Sequence, residues 1–209
     1  MAAKRSAATR EVSPPPARRL RVDARRNRDK LIAVAAEAFS KHGVDTSLED
    51  IARRAGVGIG TLYRHFPTRE HLVEVVYQRE VEQLCAAADE LAHKLAPDAA
   101  LAEWMQRFVG YIATKRGMAN SLRILLTTNS ELFANTSGKV MQALSGLVEA
   151  AKADGSIRRD IDITDVLHAL SGIYGAPDTP DWQARSRRLV SLLMDGLRWG
   201  APKARHRLG

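Results

Sequence analysis

The stretch from Thr46 to Leu72 constrains the fold of this chain more than any other segment. Thr46 and Glu49 have the spacing of a capping box, which predicts the start of a helix. Gly56 stands where this helix should end, because glycine enters the left-handed C′ conformation without a steric penalty from a Cβ atom. Between these signals, apolar residues recur at helical spacing, at Leu48, Ile51, Ala52 and Ala55.

A second short helix is predicted over residues 59–66, with Leu62 and Phe66 four residues apart on its buried face. Pro67 and Thr68 should end it and cap a third helix that starts immediately afterwards. Two short helices joined by a glycine turn form a helix-turn-helix, whose second helix enters the major groove of DNA.

Apolar residues continue at helical spacing through the rest of the chain and predict further helices. The run from residue 69 has no internal proline or glycine, so it can couple the DNA-binding end rigidly to the body. The polar run 127–130 is expected to be a loop. The other predicted helices are 24–42 after an Asp23 cap, 69–95, 97–115, 137–153, one from Asp162 or Thr164 to Gly175, and one from Asp181 to Trp199.

The composition supports an all-α fold. Apolar residues make up 45% of the 209 residues and charged residues 27%, as in ordinary globular proteins, while aromatics are only 5%. Alanine and leucine, which favour helix, are abundant. The sequence shows no strand signal of alternating β-branched residues between tight turns. No apolar run approaches 18 residues, so neither a transmembrane helix nor a membrane partner is expected.

The net charge of +8 is concentrated at one end of the chain. Residues 1–70 hold 15 Lys and Arg against 8 Asp and Glu, a net charge of +7, whereas residues 71–209 hold 17 against 16. Such asymmetry indicates a nucleic-acid partner for the N-terminal end. A solvated basic face is the alternative, but the adjacent helix-turn-helix disfavours it.

Residues 1–22 are interpreted as a disordered basic arm that contains three consecutive prolines and no apolar h-region typical of a secretory signal. Such arms can bind DNA phosphates or reach into the minor groove. A tail without defined contacts is the alternative. The predicted DNA contacts here are Arg18, Arg19, Arg21, Arg25 and Arg26.

Neither a metal site, a cofactor site nor a catalytic site is predicted. Cys85 is the one cysteine, which excludes an internal disulfide and a cysteine-based zinc cluster. It is expected to be buried as a small hydrophobe, with a redox-sensing thiol as the alternative. His93 and His168 are isolated from any nucleophile or metal-ligand spacing. The chain is therefore not expected to be an enzyme.

Three segments together resemble the N-terminal DNA-binding domain of TetR-type transcriptional regulators. They are Ile-Ala-Arg-Arg-Ala-Gly-Val at 51–57, Gly-Thr-Leu-Tyr-Arg-His-Phe-Pro at 60–67 and Glu-His-Leu at 70–72. The resemblance covers residues 28–75. Beyond residue 75, a looser similarity to the SbtR-like group of regulator C-terminal domains lies mainly at residues 101–130.

The resemblance implies which residues touch DNA. It places phosphate or base contacts at Thr61, Tyr63 and His65, with Gly60 allowing close approach of the backbone. Ser47 and Arg69 match family positions that commonly touch phosphate.

Two further DNA contacts are predicted from side-chain chemistry. Arg64 can pair bidentately with guanine, the commonest specific contact. Gly58 and Ile59 depart from the family pattern, in which a serine cap and a polar residue are more usual. Ile59 could instead contact a thymine methyl group. For each single residue, an uninvolved surface group is the alternative.

The resemblance also implies an effector cavity within the helical body. Such cavities have apolar walls and few polar groups. An aromatic stretch packed in the core is the alternative. The predicted lining residues are Trp104, Phe108, Tyr111, Met118, Leu122 and Met141.

A homodimer is expected, because one recognition helix reads only a half-site and two-fold dimers read palindromes. The resemblance implies that the last two helices pair with their mates as a four-helix bundle. A purely intramolecular core is the alternative. The candidate interface residues are Leu167, Leu170, Leu189, Leu193 and Leu197, with Ser186 and Gly196 small enough for close approach.

The sequence therefore predicts a cytoplasmic, sequence-specific transcriptional regulator, expected to be a homodimeric repressor released by a small-molecule effector. Its predicted regions are the arm, 1–22, a DNA-binding domain, 23–70, and an effector-binding and dimerisation domain, 71–209. One alternative is a nucleoid-type protein whose DNA affinity depends on salt but not on sequence. An enzyme with an appended helix-turn-helix is a more distant alternative.

Overall fold

Helices account for nearly all of the chain that the computed structural model describes, which is residues 16–43, 46–175 and 179–201. These residues form nine α-helices and no strand, so the predicted all-α fold is confirmed. Within the same residues, no helix combines the length and the apolar character needed to cross a bilayer. The helices are α1 Pro16–His42, α2 Leu48–Ala55, α3 Ile59–His65, α4 Arg69–Lys94, α5 Pro97–Gly117, α6 Ala119–Thr128, α7 Ser130–Asp154, α8 Ile163–Gly175 and α9 Trp182–Arg198.

The first helix begins earlier than predicted. Asp23 does not cap α1, which already starts at Pro16. Proline suits the first position of a helix, because its φ is preset and its missing N–H would have had no partner there. Residues 17–22 are mostly Ala, Arg and Leu, which are good helix formers. The predicted arm therefore overlaps α1 over residues 16–22, and residues 1–15 lie outside the described part.

The cap of α2 is Ser47, not Thr46, so the predicted capping box is wrong. The Ser47 hydroxyl oxygen accepts a hydrogen bond from the backbone N–H of Asp50 at 3.0 Å. Thr46 is buried, and its hydroxyl donates instead to the carbonyls of Ala38 and Gly43 at the end of α1. Thr46 thus joins α1 to α2. The predicted end of α2 is confirmed, because Gly56 has a φ of 67°.

Replacing Ser47 with alanine should lower the free energy of unfolding by about 1 kcal/mol, because the first turn of α2 loses its side-chain acceptor. Urea denaturation followed by circular dichroism measures this change. Ser137→Ala is the control, since Ser137 is exposed in the interior of α7. Equal stability of the Ser47 variant and the wild type would contradict the assignment of the cap.

Helix α5 is the centre of the body and packs against α1, α4, α7 and α9. Leu101, Trp104 and Met105 on α5 are fully buried. The indole N–H of Trp104 donates to the carbonyl oxygen of Leu84 on α4 at 2.8 Å, which satisfies its buried donor. Helix α4 contacts both α1 and the body helices α5, α6 and α7, so it connects the two ends of the molecule.

The predicted loop over residues 127–130 is almost entirely helical. Helix α6 runs through Thr128, and α7 starts at Ser130, seven residues earlier than predicted. Asn129 alone separates them, and its side-chain oxygen accepts from the backbone N–H of Leu132 to cap α7. A junction between two helices can therefore have the polar composition that is expected of a loop.

Candidate nucleic-acid interface and helical body

Helix α3 is held by its apolar residues and presents its other side chains outward. Leu62 and Phe66 are fully buried against α1 and α2, as predicted. Ile59 and Tyr63 are 38% and 44% exposed, large fractions for apolar or aromatic side chains in a folded domain. Arg64 is exposed as well. The outward side of α3 is therefore available to another molecule.

Glycines leave space at the start of this helix. Gly58 occupies the N-cap position without a side-chain cap, as its departure from the family pattern predicts. A Cβ atom added to Gly58 or Gly60 would meet nothing within 4 Å in this chain. Thr61 and His65 are half-buried beside this open edge.

Ser47 and Arg69 already have structural roles. Ser47 caps α2. The Arg69 guanidinium donates to the Thr46 carbonyl and lies over the ring of Phe39, 5.3 Å from its centroid. Arg69 therefore fixes the start of α4 to the junction of α1 and α2. Its guanidinium group carries five N–H donors in total.

The structure describes the side chains of two of the five arginines of α1 that were predicted to contact DNA. Arg25 and Arg26 are exposed. Arg18, Arg19 and Arg21 are on the first turns of α1, but their side chains lie outside the described part.

Sequence reasoning missed two exposed arginines on α2, the helix that packs beside α3. Arg53 pairs with Asp50, and this hydrogen bond holds the pKa of that carboxyl below its usual value. A guanidinium nitrogen of Arg54 lies 2.9 Å from His42 Nε2 at the end of α1. Their positions opposite the apolar stripe of α2 were the signal that could have identified them.

The six residues predicted to line an effector cavity are packed into the body, and none of them lines the grooves at Cys85, at Gly117 or at Leu192. Five are buried, and Met141 is half-buried. The closely spaced rings of Trp104, Phe108 and Tyr111 follow one another along α5. Their role in effector binding stays a prediction.

The α4–α5–α7 interior also contains ionisable groups that sequence reasoning missed. Burial raises the pKa of the Glu80 carboxyl, and a hydrogen bond with Thr114 partly opposes that shift. Burial lowers the pKa of Lys115, whose ammonium lies about 6 Å from the ring centroids of Tyr77 and Tyr111. Apolar surroundings disfavour the charged form of each group. The available sequence signal was their spacing: Glu80 follows Tyr77 by three residues and Lys115 follows Tyr111 by four, which places each pair on one face of a helix.

Cys85 is half-buried, whereas full burial was expected. It lines a groove of about 530 Å³ between α4 and α7, together with Asp89 and Lys139. Burial raises the pKa of its thiol. Among the described residues, no group of three or more His, Cys, Asp or Glu side chains could hold a metal ion.

Comparison with known proteins identifies the family. Residues 31–76 match the model of bacterial regulatory proteins of the tetR family, and residues 96–199 match the C-terminal domain of SbtR-like transcriptional regulators. A TetR transcriptional regulator of Streptomyces coelicolor is 45% identical, with a TM-score of 0.73 over 82% of this chain and 98% of that one. The chain belongs to the TetR family of transcriptional regulators.

A second TetR-family structure, from Mycobacterium vanbaalenii, is 31% identical, with a TM-score of 0.67 over 86% of this chain and 99% of that one. An HTH-type transcriptional regulator of Staphylococcus aureus strain USA300 is 39% identical over 64 residues, which are 30% of this chain. The chain spans only 35% of the length of that curated relative.

These matches confirm both parts of the predicted resemblance to the TetR family. The match at residues 31–76 coincides with the helix-turn-helix and the start of α4. The SbtR-like match extends far beyond the residues 101–130 on which that similarity was first seen. All three of these relatives are transcriptional regulators, which is a non-enzymatic role.

Proposed function

We propose that this TetR-family protein is a homodimeric repressor that binds a palindromic operator and is released from it by a small-molecule effector. One observation carries the proposal. Helix α3 is fixed by Leu62 and Phe66 while Ile59, Tyr63 and Arg64 remain exposed on its outer side. A helix held in this way suits insertion into a major groove.

The proposed division of labour on DNA follows from these positions. Arg64 and Ile59 read base edges, while Thr61, Tyr63 and His65 contact phosphates or bases beside them. Gly60 lets the DNA backbone approach, because a Cβ there would occupy open space. Arg69 reaches a phosphate from the start of α4, and Ser47 contributes from its capping position. Outer phosphate contacts come from Arg18, Arg19, Arg21, Arg25 and Arg26.

The dimer forms through α8 and α9. Leu189 and Leu192 on α9 are 44% and 68% exposed and border an apolar groove of about 630 Å³ between these helices. Adjacent exposed leucines are characteristic of protein–protein interfaces. Leu170 and Leu197, also predicted for the interface, are buried in the core of the protomer, and Leu192 replaces them as a candidate. Gly172 and Gly196 line the same groove and leave room for a second helix.

The effector binds in the α4–α5–α7 interior of the proposed effector-binding domain. Partly buried ionisable groups among aromatic side chains are typical of ligand sites. Here Glu80 and Lys115 supply charge, and Tyr77, Tyr111 and Phe133 supply ring surface, with Tyr77 and Phe133 centroids 5.2 Å apart. The effector acts by its differential affinity for the DNA-bound and released conformations.

Selection of bound sequences from a random DNA pool at near-physiological salt tests the proposal. Enrichment of a palindrome would support specific reading by a dimer. Enrichment of no motif, together with affinity that depends only on salt, would refute it in favour of the nucleoid-type alternative.

Lys115→Met should weaken the response to acidic effectors about tenfold or more, because it removes a charged hydrogen-bond partner worth about 1.5–3 kcal/mol. The measurement is the concentration of each organic acid in a screen that releases the selected operator. Lys139→Met removes the same charge from an exposed position on α7 and should respond like the wild type. Identical release of both variants would exclude Lys115 as an effector contact.

A further inference from the structure

Gly117, the last residue of α5, lies against the backbone of α1. A Cβ atom at Gly117 would be 1.9 Å from the carbonyl oxygen of Phe39, 2.6 Å from its carbonyl carbon and 3.1 Å from its Cα. Real Cβ atoms do not approach other atoms to less than 3.0 Å. The obstacle is main chain, which cannot rotate away as a side chain can. Only glycine fits this contact.

The Phe39 side of the contact is tied firmly to the DNA-binding helices. Phe39 is fully buried, and the Arg69 guanidinium lies over its ring. The adjacent carbonyl of Ala38 accepts a hydrogen bond from Thr46, which precedes α2. A shift of Phe39 would therefore displace the starts of both α2 and α4.

The Gly117 side belongs to the centre of the body. Gly117 is buried, as is the following residue, Met118, at the junction of α5 and α6. Helix α5 packs against most of the other body helices. The contact therefore connects the DNA-binding helices to the body at a second place, separate from the continuous helix α4.

The last turn of α5 also lies beside the proposed effector site. Lys115 precedes Gly117 by two residues, which corresponds to a rotation of about 200° around the helix axis. Lys115 faces Tyr77 on α4, and Gly117 faces Phe39 on α1. A ligand that displaces this turn from the Lys115 side pushes its opposite side against the backbone of α1.

We infer that the contact between Gly117 and Phe39 is a rigid joint that fixes the orientation of α3 on the body and transmits displacement of α5 to it. Close-packed interiors have low compressibility and transmit strain, so a backbone contact has little capacity to absorb movement. This inference rests on the proposed function, since it assigns Gly117 as a positioning residue for operator binding and release.

Gly117→Ala tests the joint, and Gly110→Ala is its matched control. Both substitutions replace a glycine of α5 with a better helix former. At Gly110 the added Cβ would meet nothing within 4 Å, whereas at Gly117 it would collide with Phe39. Circular dichroism first establishes that each purified variant keeps the helix content of the wild type.

Operator titrations give the readout that a general loss of stability would not change. The probes are the selected operator and versions with one base pair added or removed between half-sites, which rotates them by about 34°. Gly117→Ala should lose about tenfold or more affinity for the selected operator and should discriminate less between spacings. Gly110→Ala should keep the wild-type spacing profile.

Calorimetry gives a readout that needs no DNA. The wild type and Gly110→Ala should unfold in one transition, and Gly117→Ala in two, because the DNA-binding helices no longer unfold together with the body. If Gly117→Ala cannot be obtained folded, hydrogen exchange on the wild type replaces it. The last turns of α1 and α5 should then open with the same free energy.

These outcomes separate the joint from the proposed function. If the wild type selects a palindrome and Gly117→Ala matches it in spacing profile and in the number of unfolding transitions, the joint is overturned and the proposed function stands. Failure of the wild type to select any sequence would overturn the proposed function, and calorimetry would still decide on the joint. Opening of α1 at a much lower free energy than α5 would also overturn the joint.

Discussion

Replacing Leu192 with aspartate should convert the proposed homodimer into monomers and reduce operator affinity about 100-fold or more, because both half-sites must be bound by one dimer. Leu192 is 68% exposed in the protomer, so the substitution should leave the fold of the monomer intact. In a two-fold interface the same change occurs twice, and each buried, unpaired carboxylate costs several kcal/mol.

Sedimentation velocity measures the oligomeric state, and titration with the selected operator measures the affinity. Leu126→Asp is the control, because Leu126 is also about half exposed but lies on α6. It should remain dimeric with unchanged affinity. A Leu192→Asp protein that sediments as the wild-type dimer would exclude this surface as the interface.

The DNA-binding helices could be predicted from sequence because the information that specifies them is local. Gly56 must adopt a positive φ to end α2, and Thr68 accepts the bond from His71 that starts α4. Leu62 and Phe66 are four residues apart, so they share a face in any α-helix. Each signal acts within one or two turns, and so the predicted starts of α2 and α4 and the predicted bounds of α3 agree with the structure to within one residue.

The errors arose where tertiary contacts decide between locally equivalent choices. Thr46 and Ser47 are both good N-caps. Ser47 is the cap because the Thr46 hydroxyl is already bonded to the carbonyl oxygens of Ala38 and Gly43, a tertiary contact that the local sequence does not reveal. The extra turns of α1 before Asp23 reflect a local ambiguity instead, since Pro16 is compatible with either an extended arm or a helix start.

The interior of the body could not be predicted for a related reason. Apolar periodicity shows which face of a helix is buried, but not which helix it meets. The sequence therefore left open whether Trp104 and Phe108 line a cavity or pack in the core, and both side chains are buried in the structure. Glu80 and Lys115 stand at helical spacing from tyrosines, but this signal is weak because charged residues usually face solvent. The role of Gly117 could not be predicted either, since its contact with Phe39 spans 78 positions of the chain.

Replacing Arg64 with alanine should relax operator specificity at one symmetric pair of base positions and weaken binding of the best operator. A bidentate arginine–guanine pair contributes about 1–3 kcal/mol of discrimination. The two half-sites together should therefore lose about 2–6 kcal/mol, which is the largest effect expected from one substitution on α3. The measurement is a titration against operators that carry each base in turn at every position of the half-site.

Arg26→Ala separates base reading from phosphate binding. Arg26 is exposed on α1, outside the proposed recognition helix, and its replacement removes the same charge. A variant that neutralises fewer phosphates should bind all operators more weakly, and the slope of log affinity against log salt should fall by about one per phosphate. Arg64→Ala should change the ranking of operators while Arg26→Ala preserves it. If both variants weaken every operator equally, Arg64 binds phosphate, and base reading must come from Ile59, Tyr63 or their neighbours on α3.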